Sequence, residues 1–246
     1  MDFPFGIVQL APWGVGGGKD ANNGCGQSTD CEVAEVRWAQ ELVHRRSNNT
    51  FLAVTTALAD FDSPYGSIHP RHKIPVGDRL ALGARRVAYK EPGVYAAGPG
   101  RPVATAGAAG MGGVSVQFSG CAAGGIQLHE TVGFEVSNGG SERGDWRSVA
   151  VVPNATAQEA CSVELERVAS AGASWVRYNW FRSTRFANET TAKACGKEGC
   201  GAGRCAVYSG GALESVGAAP GTPRGGAVPV GLPAAPFLIE VAAAHP

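Results

Sequence analysis

The chain has 246 residues, 44% of them apolar, and its 21 Lys and Arg residues balance its 21 Asp and Glu residues. This length allows one large domain or two ordinary ones, and the apolar fraction is enough to build a core. The charge balance, which holds in both parts of the chain, gives no electrostatic reason to expect a nucleic-acid partner or an anionic membrane surface. No apolar run approaches the roughly 18 residues of a membrane-spanning helix.

Strands and helices alternate in the first part of the chain. Residues 3–10 and 51–60 are apolar and β-prone, which predicts strands. Apolar periodicity predicts helices over residues 32–46 and 74–89. The β-α-β-α order implies a parallel sheet with helical crossovers, so we expect an α/β domain over residues 1–92.

Each predicted helix has one apolar stripe that we expect to face the sheet. In the first helix the stripe holds Val33, Val36, Ala39 or Gln40, and Val43. Trp38 is also expected to pack against the sheet. In the second helix it consists of four residues: Val76, Leu80, Gly83 and Val87. The arginines of the second helix, Arg79 among them, are expected to lie in solvent.

Short β-prone runs separated by turn residues dominate the second part, residues 93–246. The segment Gly98-Pro-Gly-Arg-Pro-Val predicts a linker or a domain junction. The spacing of the runs that follow is typical of an antiparallel β-sandwich. The expected strands are 114–118, 125–128, 132–136, 147–152, 162–168 and 175–180, with a last one after 236. Residues 183–231 are rich in Gly, Ala and Pro and predict either a long ordered loop or a partly disordered segment.

Seven cysteines and three N-x-Ser/Thr sequons, at Asn48, Asn154 and Asn188, indicate a secretory, lysosomal or extracellular location with disulfides and glycosylation. Cys25 and Cys31 flank one loop, and three further cysteines recur every five residues at Cys195, Cys200 and Cys205. That spacing is poor for zinc. The N-terminus lacks the basic start and the cleavage site of a signal peptide, and it enters a strand so soon that we expect polypeptide upstream.

The loop at residues 60–73 carries the strongest candidate for chemistry. It follows the second strand, at the carboxyl end where open α/β sheets place their sites. His69 can act there as a general base because its ordinary pKa lies near neutrality. The alternative is an exposed loop histidine that caps the following helix.

Other chemistries are less well supported by the sequence. Ser28 lies in the only tempting Gly-x-Ser, but in a polar loop instead of a strand–turn–helix elbow. His69 and His72 are three residues apart among cations, without a His-Glu-x-x-His arrangement, so no metal is expected. Gly18-Lys19 is followed by Asp20 and does not form a phosphate-binding loop.

Five segments resemble the sialate O-acetylesterases of the SGNH (GDSL-like) hydrolase superfamily. The most specific is Ser63-Pro-Tyr-Gly-Ser-Ile-His-Pro-Arg, which is similar to the catalytic-histidine block. Phe3-Pro-Phe-Gly-Ile-Val-Gln-Leu resembles a late core strand and Val36-Arg-Trp-Ala-Gln the next helix. Val176-Arg-Tyr-Asn-Trp and Gly231-Leu-Pro-Ala-Ala-Pro-Phe resemble the terminal β-rich region.

The resemblance implies the C-terminal part of a doubly wound SGNH-hydrolase sheet followed by an antiparallel β-sandwich. It implies removal of O-acetyl groups from sialic acids or related sugars through an acyl-serine, with His69 as the general base. No metal or organic cofactor is implied. The expected partner is an O-acetylated sugar; nucleic acid and membrane insertion are not expected, and the oligomeric state is open.

Two departures from the family pattern matter. The Gly-Gln-Ser-Asn type nucleophile block and the oxyanion block belong upstream of Phe3, so the base stands here without its nucleophile. Many SGNH enzymes also have an Asp two or three residues before the His, where this chain has Ser67 and Gly66. The orienting acid can be Asp62 or Asp60, or the site can be a Ser–His dyad with backbone support. Asp62 ranks above Asp60, because Asp60 at the strand end is expected to be structural.

Two other functions fit the same pattern. The chain can be an inactive fragment or pseudoenzyme that serves as a carbohydrate-binding or interaction module. It can also be a plant-polysaccharide deacetylase of the acetyl-xylan type on the same scaffold.

Overall fold

The structure is a computed structural model. The residues that it describes are 3–12, 32–58, 60, 63–66, 68–92, 94, 100–106, 113–119, 121, 125–128, 131, 133–139, 146–167, 173–180, 207–209 and 234–243. Nine residues that the sequence analysis singled out lie outside the described residues: Cys25, Cys31, Cys195, Cys200, Cys205, Ser28, Asp62, Ser67 and Asn188. No helix in the described part of the chain is both long and apolar enough to cross a membrane.

The first part of the chain forms the predicted β-α-β-α unit. Strand β1 spans Phe5–Val8, helix α1 Glu32–Arg46, strand β2 Thr50–Ala53 and helix α2 Ile74–Val87. The two strands pair in parallel, so the predicted crossover topology is confirmed. The bounds predicted for α1 are correct to the residue, whereas both strands are shorter than predicted.

Helix α1 buries a different face from the one expected. Val33 is buried, but Val36 and Val43 are 46% and 52% exposed. Arg37 and Glu41 lie inside instead, at 1% and 4% exposure. The apolar stripe misled because long polar side chains fill the inner face, where they find backbone and side-chain hydrogen-bond partners.

Close contact between backbone and one aromatic ring joins α2 to the strands. Phe51 lies on β2, and its ring touches Gly6 of β1 and Gly83 of α2. A Cβ atom at Gly6 would come within 2.5 Å of the ring, and one at Gly83 within 2.2 Å. Glycine is therefore required at both positions for helix and sheet to approach this closely.

Two arginines of α2 have partners instead of lying free in solvent. Arg79 donates to the backbone carbonyl of Val54, which follows β2. Arg85 pairs with Glu91 just beyond the helix, where the Nε···Oε2 distance is 2.7 Å. The hydrogen bond from the Arg85 guanidinium lowers the pKa of the Glu91 carboxyl.

The second part, called the β-rich region (residues 100–243), holds ten strands and one short helix among its described residues. In chain order they are β3 (Gly100–Ala106), β4 (Val114–Ser119), β5 (Ile126–Leu128), β6 (Phe134–Ser137), β7 (Arg147–Val149), β8 (Val151–Val152), α3 (Ala155–Glu159), β9 (Ser162–Leu165), β10 (Trp175–Tyr178), β11 (Val207–Ser209) and β12 (Phe237–Ala242).

Eight of these strands form one sheet in the order β7-β6-β10-β12-β3-β4-β9-β8. Neighbours are antiparallel except β12 and β3, which run parallel. The sheet is therefore mixed, where a purely antiparallel one was expected. Its two edge strands are consecutive, because the strand predicted at 147–152 divides at Ala150. The sheet must curl until both edges meet at that residue.

Strand β3 includes residues 100–103 of the segment that was predicted to be a linker or a domain junction. A linker at these residues is therefore wrong, whereas the domain junction stays a prediction. The register between β3 and β4 shifts between Gly100 and Val103, and Arg101 has a φ of 43°. This irregularity accommodates Pro102, since a proline is tolerated in a strand at a bulge. Strand β11 was also not predicted. It lies within residues 183–231 and pairs with β5.

Aromatic side chains form the centre of the β-rich core. Tyr178 lies opposite Phe134 on one neighbouring strand and opposite Phe237 on the other. The ring centroids are 4.7 Å apart in the first pair and 5.5 Å in the second, and Phe118 adds a T-shaped contact with Phe237. Cross-strand aromatic pairs stabilise sheets beyond simple burial.

An ion pair is buried next to this core. Arg177 of β10 lies directly opposite Glu135 of β6, with its Nε 2.8 Å from Oε2. The two side chains are only 3% and 9% exposed. The Arg177 guanidinium also lies 4.2 Å from the centre of the Trp146 ring. Strand β10 thus also buries a charge beside the aromatic core, which the ion pair compensates.

Helix α1 contacts the β-rich region as well as β2. Ala34 forms a small buried cluster with Trp180, against which Trp38 and Leu238 pack. Trp38 also packs against the main core of the β-rich region, and Arg45 lies 4.9 Å above its ring. Trp38 therefore joins the two parts of the chain. The boundary between residues 92 and 93 stays a prediction.

A disulfide that the sequence did not identify joins Cys121 and Cys161. The two Cα atoms are 6.2 Å apart and 40 residues separate them along the chain. Both cysteines pack against the main core. The bond therefore ties the segment after β4 to the turn before β9.

Removing this disulfide should destabilise the chain by about 4 kcal/mol, because the cross-link restricts a long loop in the unfolded state. The change is Cys121→Ser with Cys161→Ser, measured by urea unfolding with and without a reductant. The reductant should lower the midpoint of the wild-type chain and leave the double variant unchanged. An equal shift in both proteins would assign the effect to other cysteines.

Candidate functional site

The candidate site lies where β1 and β2 end. Because these strands are parallel, the segments that follow them meet at one edge. Gln9 and Thr55, each at most 1% exposed, follow β1 and β2, and the Thr55 hydroxyl donates to the Gln9 carbonyl. This edge is lined by polar groups held inside the protein.

Helix α1 fixes the backbone just past β1. The Arg37 Nε and Nη2 atoms donate to the carbonyls of Leu10 and Ala11 at 2.7 and 2.8 Å. The Gln40 amide accepts from Leu10 N–H at 2.9 Å and donates to the Val8 carbonyl at 3.1 Å. These contacts give a physical role to two residues of the segment Val36-Arg-Trp-Ala-Gln.

An ion pair closes the loop between β2 and α2. Asp60 is 7% exposed, and its Oδ2 accepts from the backbone N–H of Arg71 at 2.9 Å and from its Nε at 2.8 Å. Oδ1 accepts from Nη2 of the same arginine at 2.8 Å. A bidentate pair of this kind is specific in geometry as well as strong. The expectation that Asp60 is structural agrees with this ion pair to Arg71.

His69 lies inside this closed loop, with a fixed backbone and an exposed side chain. The Ser63 hydroxyl donates to the His69 carbonyl at 2.7 Å, and the His69 N–H donates to the Gly66 carbonyl at 2.9 Å. Gly66 has a φ of 89°, a conformation that favours glycine. The imidazole has no hydrogen-bond partner within the part of the chain that the structure describes.

The loop exposes the His69 imidazole to solvent and holds the His69 backbone in place by hydrogen bonds, as a general base requires. Ser63 is a hydroxyl in the same loop, but its proton is directed to the His69 carbonyl, which does not activate it as a nucleophile. Asp62, the expected orienting acid, lies outside the described residues, so its assignment stays a prediction. Ser28 also lies outside them, so the expectation that it is not a nucleophile stays a prediction too. Among the described residues no three His, Cys, Asp or Glu side chains are placed to hold a metal ion.

Sequence reasoning missed the residues that hold the site together. Ser63 and Arg71 were quoted only as parts of motifs, without roles, and Gln40 was placed only near the apolar stripe of the first helix. The signal available for Arg71 was its charge, opposite to that of Asp60 at the other end of a loop that contains Pro64, Gly66 and Pro70. Two opposite charges at the ends of a turning loop are candidates for closing it.

Curated relatives match part of the chain. Sialate O-acetylesterase from Mus musculus is 42% identical over 102 residues, which cover 39% of this chain and 17% of that protein. Sialate O-acetylesterase from Homo sapiens is 41% identical over 102 residues, covering 39% and 18%. The match thus spans about a sixth of the length of these relatives. No protein-family model matches the chain.

A solved structure supports the fold over almost the whole chain. It is a carbohydrate acetylesterase from Xanthomonas citri, with a TM-score of 0.59 and 22% sequence identity. The match covers 96% of this chain and 40% of that one. The resemblance inferred from the sequence motifs is confirmed by these comparisons, and its extent is partial.

Proposed function

We propose, from the likeness to sialate O-acetylesterases, that this chain is the histidine-bearing part of an ester hydrolase that removes O-acetyl groups from sialic acids or related sugars. Its relatives are esterases, which supports an enzyme of this general kind. The observation that carries the proposal is the position of His69. Its imidazole is exposed on a loop closed by Asp60 and Arg71 at the carboxyl end of a parallel strand.

In the proposed reaction a serine attacks the acetyl carbonyl while His69 takes the proton from its hydroxyl. The imidazolium then gives that proton to the sugar oxygen as the sugar leaves, and the acetyl group stays on the serine. Water, deprotonated by the same imidazole, releases acetate and restores the serine. The serine belongs to a nucleophile block that we propose lies on polypeptide outside this chain, and Asp62 is proposed to orient the imidazole.

The finer fold and location belong to the same proposal. The unit of β1, α1, β2 and α2 is proposed to be the last part of a doubly wound SGNH sheet, and the β-rich region to be a sandwich. A sheet that curls until its edges meet at Ala150 supports the second assignment. The Cys121–Cys161 disulfide supports a secretory, lysosomal or extracellular location, because disulfides persist in oxidising compartments.

The test begins with transcripts that extend upstream of Met1. We expect them to encode a serine block in frame, and the longer polypeptide to release acetate from O-acetylated sialic acid. His69→Ala in that polypeptide should lower kcat by about 10³-fold, the range expected for loss of a general base. His72→Ala is the matched control from the same loop and should stay within about 2-fold, since a side chain away from the reacting atoms contributes little.

Four outcomes would contradict the proposal. A stop codon directly before Met1 would remove the expected nucleophile block. Strong labelling of the present chain by a serine-reactive fluorophosphonate would place a nucleophile inside it. Carbohydrate binding without turnover by the longer polypeptide would favour a binding module, and preference for acetylated xylan would favour a polysaccharide deacetylase.

A further inference from the structure

One sequon of the β-rich region is presented on the protein surface. Asn154-Ala155-Thr156 follows β8, and all three residues are exposed. The adjacent Val152 is 44% exposed. Asn-x-Thr with a middle residue other than proline is the acceptor sequence for N-linked glycosylation. The acceptor amide and the threonine that the sequon requires are therefore both accessible in the folded chain.

The conformation of Asn154 leaves the reactive atom available. Its backbone is extended, with φ −140° and ψ 104°. Its Oδ1 accepts a hydrogen bond from the Ala157 N–H at 3.2 Å, which caps the short helix α3. The amide nitrogen Nδ2 makes no hydrogen bond within the described part of the chain. A sugar on Nδ2 would leave Oδ1 free to accept, so the cap and the modification use different atoms.

The other sequon within the described residues, at Asn48, is presented differently. Asn48 is exposed, but Thr50 is only 8% exposed. The Thr50 hydroxyl donates to the Ser47 carbonyl at 3.0 Å and lies 3.3 Å from Nδ1 of His44. Folding thus withdraws this threonine from the surface, whereas Thr156 stays on it.

We propose that Asn154 carries an N-linked glycan, a site that rests on the secretory location in the proposed function but not on esterase activity. The donor is a polyprenyl-diphosphate-linked oligosaccharide. The Asn154 Nδ2 atom forms a bond to the anomeric carbon of the first sugar and loses one proton. The bond from that carbon to the diphosphate oxygen breaks, and the lipid diphosphate leaves. The glycan then covers the surface around Val152.

The test expresses the full chain through the secretory pathway of eukaryotic cells, followed by glycopeptide mapping and treatment with peptide N-glycosidase. We expect the peptide that contains Asn154 to carry a glycan that the enzyme removes. Thr156→Ala keeps the Asn154 cap and should lose the glycan. Asn154→Asp keeps a capping oxygen and should also lose it, so both variants should match the unfolding midpoint of the enzymatically deglycosylated wild type.

An unmodified Asn154 peptide in chains that emerge from the secretory pathway would overturn the proposal, whether or not Asn48 is modified. Retention of the glycan in Thr156→Ala would also overturn it. Neither result bears on acetate release. Loss of turnover in His69→Ala is measured separately, so a failure here is distinguishable from a failure of the proposed function.

Discussion

Gly83→Ala should destabilise the chain by about 2 kcal/mol, although the same change in a helix ordinarily stabilises by about 1 kcal/mol. The reason is contact with Phe51. A Cβ at Gly83 would lie 2.2 Å from Cδ2 and 2.6 Å from Cγ of the ring, so ring or helix must shift. The loss should appear as a lower midpoint in urea unfolding followed by circular dichroism.

Gly77→Ala is the matched control, since it lies in the same helix and a Cβ there would meet nothing within 4 Å. It should stabilise by about 0.5 to 1 kcal/mol through helix propensity alone. Adding Phe51→Leu to Gly83→Ala should recover part of the loss, because the smaller side chain makes room for the new methyl group. Equal effects of the two alanines would show that the ring moves aside without cost.

Glu135→Ala should destabilise the chain by about 3 to 5 kcal/mol, because it removes a carboxylate that pairs with a buried guanidinium. Arg177 keeps its other contacts, among them the Trp146 ring, where a cation–π contact is worth about 1 to 2 kcal/mol. Glu240 on β12 is exposed and provides the control. Glu240→Ala should change the free energy of unfolding by less than about 0.5 kcal/mol.

A third variant separates the value of the ion pair from the cost of breaking it. Glu135→Leu combined with Arg177→Met replaces both charges by apolar side chains of similar length. Such replacements are often neutral or stabilising, so the double variant should be more stable than Glu135→Ala. Chemical denaturation of the wild type, Glu135→Ala, Glu240→Ala and the double variant compares their free energies of unfolding. A double variant as unstable as Glu135→Ala would indicate that Arg177 is needed for its other contacts.

Local patterns predicted elements better than they predicted faces. The bounds of α1 followed from periodicity, yet Val36 and Val43 are exposed, because Arg37 and Glu41 use buried backbone and side-chain partners. Periodicity assumes that buried means apolar, and this helix departs from that rule. The strand β3 was missed because Pro102 indicates a linker unless a bulge is known to accommodate it.

The candidate site, too, could be predicted only in part. The place of His69 after a strand could be predicted, since the order of elements along the chain determines it. The ion pair between Asp60 and Arg71 could not be predicted, because it depends on how the intervening loop closes in three dimensions. The pairing of Cys121 with Cys161 is a similar case, since 40 residues separate the partners and several pairings were available.

The Gln40 amide imposes a length limit on strand pairing beside β1. Backbone groups of a strand point alternately to its two sides, and Phe5 and Gln9 donate to the β2 side. Val8 C=O and Leu10 N–H point the other way, and Gln40 satisfies both. A neighbouring strand on that side would thus pair no further than the Val8 N–H and would have to diverge there. That divergence would open a gap at the end of the sheet from which the loop at residues 60–73, which carries His69, begins.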